Sequence, residues 1–391
     1  MDNTEKLLIE LLSAFVNERK PEITTEYDAN GLYELARKQS VTGILCYVLQ
    51  KHRREDVLSG DSRLAGAFDK TISQFIRKEV YAQKLLEKLR AEQIPHIIFK
   101  GLVVKNCYPV AELRTYGDID IILRKEDREK SHRLMLDMGY KWELMDGGDV
   151  YSYKKSGEHY ELHTTLNSEK TKLSQNMSNF WSFTKAKEGC TYEFENEFHL
   201  CYLISHIEKH LYGSGAGVRM YLDIALFLKK HKDSLDFDKV REILKECELE
   251  VFFDTVLELC VRWFEGDIKP HKTLDEDLYE ELCRFTFRGG VFGRQDKKNC
   301  SENEVRQAIG KKGKSHKFAV ILTHIFPPYR EVRRIYPFFN GKPYLLPVGW
   351  VVHFFKAAKR SGIKNLRQIA SADVSKAQNE KNFLEKIGSK R

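Results

Sequence analysis

The sequence lacks any long apolar segment. None of its apolar runs reaches the roughly 18 residues that a transmembrane helix requires. Its first residues, MDNTEKLLIE, have neither the basic flank nor the long apolar stretch of a signal peptide. We therefore expect a protein of the cytoplasm. Internal repeats and low-complexity tracts are also missing from the sequence.

Paired cysteine motifs are missing as well. The chain has 8 cysteines, but they are scattered and none forms a CxxC pair. This spacing argues against a structural zinc site and against a disulfide-stabilised scaffold. The glycine-rich stretch GSGAG, from Gly213 to Gly217, does not follow a predicted strand, so it is not interpreted as a dinucleotide-binding motif.

The composition is that of a globular protein with one basic end. The 391 residues are enough for two or three domains, and 42% of them are hydrophobic and 31% charged. Residues 301–391 contain 19 Lys and Arg against 6 Asp and Glu, a balance of +13, whereas the whole chain carries +8. Such a segment suits an anionic partner, namely nucleic acid, phospholipid or a phosphorylated substrate, and a solvated basic surface is the alternative.

Hydrophobic periodicity divides the chain into three regions and a tail. Apolar residues at three-to-four spacing predict helices over residues 1–94, and Pro95 ends this region. Residues 95–194 contain short alternating or apolar runs typical of strands. Residues 195–370 return to helical spacing, and 371–391 form a polar tail that is expected to be partly disordered. We therefore predict an α+β protein with a small mixed β-sheet core, N-terminal helices and a large helical C-terminal region.

The same patterns give approximate bounds for the elements, and they assign none to residues 167–194. Strands are predicted at 96–99, 118–123, 140–146, 149–154 and 158–166. Helices are predicted at 4–17, 30–50, 63–93, 125–138, 196–212, 217–231, 237–248, 250–265, 275–287 and 302–327. Trp350 to Arg360 is apolar with a basic end. We expect a core helix there, with a helix lying on an anionic membrane surface as the alternative.

Two carboxylates stand two residues apart on a predicted strand. The alternation of side chains along a strand puts Asp118 and Asp120 on one face, while Ile119 and Ile121 point into the core. Neighbouring carboxylates repel each other, so a fold tolerates them best with a cation between them. Oxygen ligands favour Mg²⁺ or Mn²⁺.

A third carboxylate, Glu161, lies in the later strand pattern HYELHTTL, and His163 shares its face. With Asp118 and Asp120 it would complete a two-metal site for an in-line phosphoryl displacement. Glu161 is also a candidate base for the attacking hydroxyl. Acidic residues near strands are common, so the pair Asp118 and Asp120 alone is a weak signal; the ordered set with Glu161 is a stronger one.

Candidate phosphate ligands precede the carboxylates. Lys100 and Gly101 follow a predicted strand and open a helix, where backbone N–H groups can approach a phosphate. Lys100 adds a point charge, and Arg114 could bind a phosphate with two hydrogen bonds.

Further polar residues lie on predicted helices in the C-terminal region. His206 and His210 share a helix face with Lys209 beside them, and a structural role is favoured over metal or phosphate binding. Arg219 and Asp223 are four residues apart, so an intrahelical salt bridge is the default, with a contact from Arg219 to a nucleotide as the functional alternative.

Together these segments resemble the DNA polymerase β-like nucleotidyltransferases, and most closely the bacterial group of uncharacterised nucleotidyltransferases. The stretches that carry the resemblance are IIFKGLVVKNCYPVAELRTYGDIDIIL, HYELHTTL, LCYLISHIEKHLYGSGAGVRMYLDIALFL and FPPYREVRRIYPFFNGKPYLLP, within residues 30–360. One departure is that the wider superfamily commonly follows its glycine with serine or glycine, whereas Leu102 stands here, and the interval to Asp118 is longer.

The resemblance implies that residues 95–194 are a nucleotidyltransferase core that moves a nucleoside monophosphate from an NTP, by default ATP, and releases pyrophosphate. It implies Asp118, Asp120 and Glu161 as metal ligands and Gly101 as the glycine of the phosphate turn. The acceptor, whether a sugar, a small metabolite, a protein or RNA, stays open. The alternative is a degenerate nucleotide-binding protein, or a nucleic-acid-binding regulator that uses the basic end.

Overall fold

The computed structural model describes most of the chain. The described residues are 1–23, 26–115, 117–145, 150–166, 171–213, 215–290, 322, 325–339, 341–359 and 374–389. Within the described residues, six helices precede the first strand. They are α1 (Asn3–Val16), α2 (Ala29–Lys38), α3 (Thr42–Lys51), α4 (Glu55–Leu58), α5 (Ser62–Ala65) and α6 (Ala67–Ala91).

In the described part of the chain, one seven-stranded mixed sheet forms the centre, in the order β3-β4-β5-β2-β1-β7-β6. Its strands are β1 (His96–Ile98), β2 (Ile119–Leu123), β3 (Lys141–Met145), β4 (Val150–Lys155), β5 (Glu158–His163), β6 (Thr184–Glu188) and β7 (Thr191–Phe194). β2 runs parallel to β5 and antiparallel to β1, and β1 runs parallel to β7. Short helices α7 (Gly101–Val104), α8 (Arg128–Asp137) and α9 (Lys172–Asn176) connect the strands.

Alternation along β2 and β5 gives the sheet two different faces. Ile119, Ile121 and Leu162 belong to a buried cluster with Leu85 and other residues of α6. Ile122, one residue further along β2, belongs instead to the large cluster of the helical region. Asp120 and Glu161 are therefore on the face that looks toward the C-terminal helices, because side chains two apart on a strand share a face.

The remaining helices form the C-terminal region. They are α10 (Asn196–Gly213), α11 (Val218–His231), α12 (Phe237–Glu246), α13 (Glu250–Phe264), α14 (Glu276–Gly289), α15 (Tyr329–Ile335), α16 (Leu346–Lys359) and α17 (Val374–Lys386). The first helix of the chain, α1, packs against α13 in the large buried cluster. Ser13 donates a hydrogen bond of 2.8 Å to Glu265, and Arg19 lies 2.6 Å from the same carboxylate. None of the helices within the described ranges has the length and apolarity needed to cross a membrane.

The mixed α+β class with its central sheet is confirmed. The expected helix at 30–50 is two helices, α2 and α3, because the chain turns at Ser40, whose φ is +55°. The sequence patterns assigned no helix or strand to residues 167–194, but this segment contains α9, β6 and β7. The helix expected at 302–327 lies almost wholly outside the described residues.

The C-terminal end adds one element and corrects one expectation. Much of the polar tail is the helix α17, and Phe383, Leu384 and Ile387 of this segment are buried in the large cluster. α16 is a helix, but Phe354 and Phe355 on it are more than half exposed, so it is not the core helix expected for Trp350 to Arg360.

Candidate active site

Asp120 and Glu161 lie directly opposite each other on neighbouring parallel strands. The register of β2 and β5 pairs Asp120 with Glu161 and Ile122 with His163. Asp118 immediately precedes β2 and is half-buried. All three carboxylates line one cleft, whose opposite wall is formed by α10 and α11. The strand alternation expected from the sequence therefore brings the three predicted carboxylates into one place.

Asp120 is held by two side chains, Lys100 and His163. Its Oδ1 accepts a hydrogen bond of 2.9 Å from Lys100 Nζ and lies 2.8 Å from His163 Nε2. Burial alone would raise the pKa of Asp120, but Lys100 and His163 offset burial, and the pKa lies below its ordinary value. Burial would likewise lower the pKa of Lys100, yet Asp120, with smaller contributions from Tyr202 and Asp118, raises it. Both groups are therefore charged at neutral pH.

Lys100 is held by its backbone as well as by its side chain. Its φ of +49° and ψ of −124° lie in a region that favours glycine, and it immediately precedes α7, whose first residue is Gly101. The Lys100 N–H donates a hydrogen bond of 3.3 Å to His199 Nε2 from α10. Burial lowers the pKa of His199 to about 3, so the ring is neutral and its Nε2 can accept this bond.

His163 joins the carboxylates in a group that could hold a metal ion. Ligand atoms of Asp120, Glu161 and His163 all lie within 4.8 Å of one another. Glu161 Oε2 is 3.6 Å from His163 Nε2, and Glu161 Oε1 is 3.8 Å from His159 Nε2. Burial lowers the pKa of His163 more than Asp120 raises it, which leaves a neutral imidazole. Asp118 lines the same cleft without being part of this three-residue group.

Arg114 is bound to a carboxylate of the helical region. Its Nε and Nη2 donate hydrogen bonds of 3.0 and 2.8 Å to the two oxygens of Asp223, and both side chains are buried. Tyr108 donates a third hydrogen bond of 2.6 Å to Asp223. Asp223 is thus engaged across the cleft by Arg114 and Tyr108, in place of the intrahelical salt bridge with Arg219 that the spacing suggested.

Arg219 lies beside this triad and faces the same cleft. Its Nη1 donates hydrogen bonds of 2.6 Å to the Thr115 carbonyl and 2.9 Å to the Thr115 hydroxyl. Its Nε is buried without a hydrogen-bond partner among the described residues. Burial lowers the pKa of Arg219, and the nearby Arg114 cation acts in the same direction. A buried guanidinium beside a second one is well suited to an anionic ligand.

The α10 side of the cleft carries a cluster of rings. His206, Lys209 and His210 line the cleft. The rings of His206 and His210 meet edge to face at 4.5 Å, and Tyr202 stacks on His206 at 5.9 Å. Burial lowers the pKa of His206 well below its ordinary value, with the nearby Lys100 cation as the next cause. The two histidines expected on one helix face thus lie in the cleft.

Some contributors to the cleft were missed from the sequence. His199 and Tyr202 sit two turns and one turn before His206 on α10, respectively, and their apolar neighbours made them look like core residues. Thr115 carried no signal beyond its place between Arg114 and Asp118. Lys78 of α6 donates to the Gly117 carbonyl beside Asp118, a contact between residues 39 apart that periodicity does not reveal. His163 was not missed, because the strand face that it shares with Glu161 placed it near the carboxylates.

A family model described as an uncharacterised nucleotidyltransferase matches residues 25–265 of the chain. None of the curated proteins matches it in sequence. Among solved structures, the antibiotic-resistance factor ANT(2'')-Ia is 14% identical over 42% of this chain and 87% of its own, with a TM-score of 0.31. The Megavirus polyadenylate synthase is 12% identical over 61% of this chain and 47% of its own, with a TM-score of 0.31. At these TM-scores neither likeness bears on the site or the substrate.

Proposed function

Because this chain belongs to the family described as uncharacterised nucleotidyltransferases, we propose that it moves a nucleoside monophosphate from a nucleoside triphosphate to an acceptor and releases pyrophosphate. The proposal includes a dependence on Mg²⁺ or Mn²⁺. ATP is the default donor, and the acceptor is a hydroxyl or phosphate on a sugar, a small metabolite, a protein or RNA.

One observation carries the proposal: Asp120 and Glu161 face each other across two parallel strands, in a cleft that also contains Asp118. Lys100 and Arg219 line the same cleft and supply positive charge beside the carboxylates. A cleft with adjacent carboxylates and cations suits a metal-bound polyphosphate, in which both kinds of charge are balanced.

The donor set fits a divalent cation. Two carboxylates and one neutral imidazole within 4.8 Å of one another offer oxygen and nitrogen ligands. We assign Asp118, Asp120 and Glu161 as the ligands, with His163 as an additional candidate. Asp120 is already bound by the Lys100 ammonium, which supports the proposal that this carboxylate binds a cation. When bound, such an ion supplies charge that stabilises the phosphate oxygens during transfer.

The chain's own cations would bind the triphosphate. Lys100 is 2.9 Å from Asp120, so a small side-chain movement could bring its ammonium to a phosphate beside the ion. Gly101, the first residue of α7, leaves room for a phosphate near the backbone. Arg219 offers its Nε, which has no hydrogen-bond partner among the residues that the structure describes. Arg114 lines the cleft while it is bound to Asp223, so its proposed part is to fix the wall that holds Arg219 and to add charge.

The proposed reaction is a displacement at the α-phosphate. The acceptor oxygen forms a bond to the α-phosphorus, the bond from that phosphorus to the bridging oxygen of the β-phosphate breaks, and pyrophosphate leaves. Glu161 is the candidate base that takes the acceptor proton, since its carboxylate lines the cleft.

The test is a binding and product assay on purified full-length protein. Thermal unfolding is measured with each NTP, with and without Mg²⁺ or Mn²⁺, for the wild type and for Asp118→Asn/Asp120→Asn. A ligand at 100 times its Kd should stabilise the fold by about 2.7 kcal/mol, which is a shift of several degrees. We expect a metal-dependent shift with one NTP that is lost in the double variant.

The products formed with water as a surrogate acceptor identify the reaction. Slow formation of NMP and pyrophosphate in equal amounts supports nucleotidyl transfer, whereas NDP and phosphate would contradict it. Glu143→Gln is the matched control, because Glu143 is an exposed carboxylate on β3 that pairs with Lys154. If no NTP shifts the unfolding temperature at millimolar metal concentrations, we would instead assign the chain as a catalytically degenerate binding protein.

A further inference from the structure

The helix α16 has an exposed apolar face. Val348, Val351, Phe354 and Phe355 are each more than half exposed, and Phe355 reaches 66%. Their spacing of three, three and one residues puts them on one side of the helix. Phe338 and Tyr344, in the turns before the helix, are 69% and 75% exposed. Large apolar side chains gathered in this way are typical of a surface that contacts another phase or molecule.

The opposite side of α16 is packed, so the helix has a defined inner and outer face. Gly349 lies so close to α15 that a Cβ there would be 2.6 Å from Val332, which is fully buried. Trp350 donates a hydrogen bond of 2.8 Å to the Pro327 carbonyl, and His353 Nδ1 is 3.2 Å from the Tyr336 hydroxyl. These contacts fix the rotation of the helix and leave its apolar face outward.

In sequence, basic residues outnumber acidic ones around this face. Residues 325–359 contain 6 Lys and Arg against 1 Glu. The Lys342 ammonium lies 3.9 Å from the centre of the Phe338 ring, and Lys356 lies 4.8 Å from that of Tyr336. Arg333 of α15 is exposed. An apolar surface with cations near it is complementary to a layer whose interior is apolar and whose surface is negatively charged.

We propose that the outer face of α16 docks on the surface of an anionic lipid bilayer. At 14 residues α16 is about 21 Å long, too short to cross a hydrocarbon core of roughly 30 Å, so it would lie in the plane of the interface. Val348 and Val351 distinguish this partner from single-stranded nucleic acid, which binds through aromatic rings that stack on bases. A second copy of the chain would bring like charges together at this border. The inference does not depend on the proposed nucleotidyl transfer.

The test is co-sedimentation of the full-length protein with vesicles. We expect binding to equimolar phosphatidylglycerol and phosphatidylcholine and little binding to phosphatidylcholine alone. Val351→Ser/Phe355→Ser should weaken binding at least tenfold, because each apolar side chain contributes roughly that factor when it leaves water. Lys342→Glu/Lys356→Glu should weaken it by about fivefold or more for each charge, and high salt should act in the same direction.

The matched control is Ile76→Ser/Val80→Ser, which removes two equally exposed apolar side chains from α6. It should bind vesicles like the wild type. Circular dichroism of all variants separates a lost surface from a lost fold. Absence of vesicle binding by the folded wild type overturns the proposal. It is also overturned if Val351→Ser/Phe355→Ser leaves vesicle binding unchanged, or if that variant instead abolishes RNA binding or a dimer seen by light scattering.

Discussion

Lys100 Nζ and His163 Nε2 contact the same oxygen of Asp120, at 2.9 and 2.8 Å. The carboxylate that would bind a metal ion is thus already neutralised by an ammonium of the chain. Because two cations cannot share one carboxylate oxygen without repulsion, binding of an ion at Asp120 and movement of Lys100 should be coupled.

Removal of the Lys100 cation should expose this coupling. Lys100→Met should bind Mn²⁺ more tightly than the wild type in the absence of nucleotide, by about tenfold or more, while NTP binding is lost. The variant should also be less stable without metal, on the order of 3 kcal/mol, since Asp120 loses its buried partner. Mn²⁺ titration followed by electron paramagnetic resonance measures the affinity. Lys105→Met, which removes a lysine paired with Glu79, is the control. Unchanged or weaker Mn²⁺ binding would contradict the coupling.

The two arginines of the cleft should have different roles: Arg114 should stabilise the fold, and Arg219 should bind the NTP. Arg114→Met should lower the free energy of unfolding by about 3–5 kcal/mol, because it leaves Asp223 buried without its cation. Arg219→Met should cost less stability but weaken NTP binding about tenfold, since it removes a guanidinium whose Nε has no partner in the described chain. Urea denaturation and isothermal titration with NTP and metal measure the two effects. Equal effects of both variants on both quantities would refute this division.

Stability should fall as the pH drops below 6.5. The pKa of His199 is about 3 in the fold and about 6.5 in the unfolded chain, so the unfolded state takes up a proton that the folded state excludes. This one residue should remove about 2 kcal/mol of stability between pH 8 and pH 5. His163 and His206, whose pKa values are also lowered, act in the same direction.

Urea denaturation at several pH values measures this effect. His199→Gln, whose side-chain oxygen can accept the hydrogen bond from the Lys100 N–H, should flatten the pH dependence by about that amount. His271→Gln, at an exposed histidine, should leave it unchanged. The same pH dependence in His199→Gln and the wild type would contradict the assignment.

The C-terminal helix should contribute to the stability of the whole fold. Leu384 is fully buried, and Phe383 packs against Phe285 with a ring distance of 5.4 Å. Leu384→Ala should therefore cost about 2–5 kcal/mol. Asn382→Ala, at the exposed neighbouring position, should cost little. Thermal unfolding of both variants distinguishes a packed helix from a dispensable tail, for which the two changes would be equally mild.

The strand pattern of the sequence was enough to group the carboxylates of the candidate site. Alternation in DIDIIL and HYELHTTL is a local property, and it put Asp118 and Asp120 on one face and Glu161 with His163 on another. That the two strands are neighbours, with Asp120 opposite Glu161, is a property of the folded sheet. The resemblance to known nucleotidyltransferases linked the two segments before the structure did.

Other features depend on contacts between distant residues. Arg114 and Asp223 are 109 positions apart, and nothing in either neighbourhood specifies their ion pair. β7 has only four residues and pairs with β1 across nearly a hundred residues, so it gave no usable signal in the sequence. In the tail, the overall polarity concealed a local pattern: Phe383, Leu384 and Ile387 have the three-to-four spacing of a buried helix face.

The packing of α1 on α13 has a consequence for how the protein is made. α1 is synthesised well before α13, and its apolar side chains, among them Leu8 and Leu12, are fully buried in the finished fold. Its partner helix and Glu265 are synthesised about 250 residues later, which at 5–20 residues per second is roughly 10–50 s. α2 and α3 follow α1 directly and also pack against it, so the nascent chain covers part of this helix early, whereas the side that packs on α13 waits for its partner. A ribosome stalled before residue 250 would display this side of the helix, and such chains should be the ones that chaperones retain.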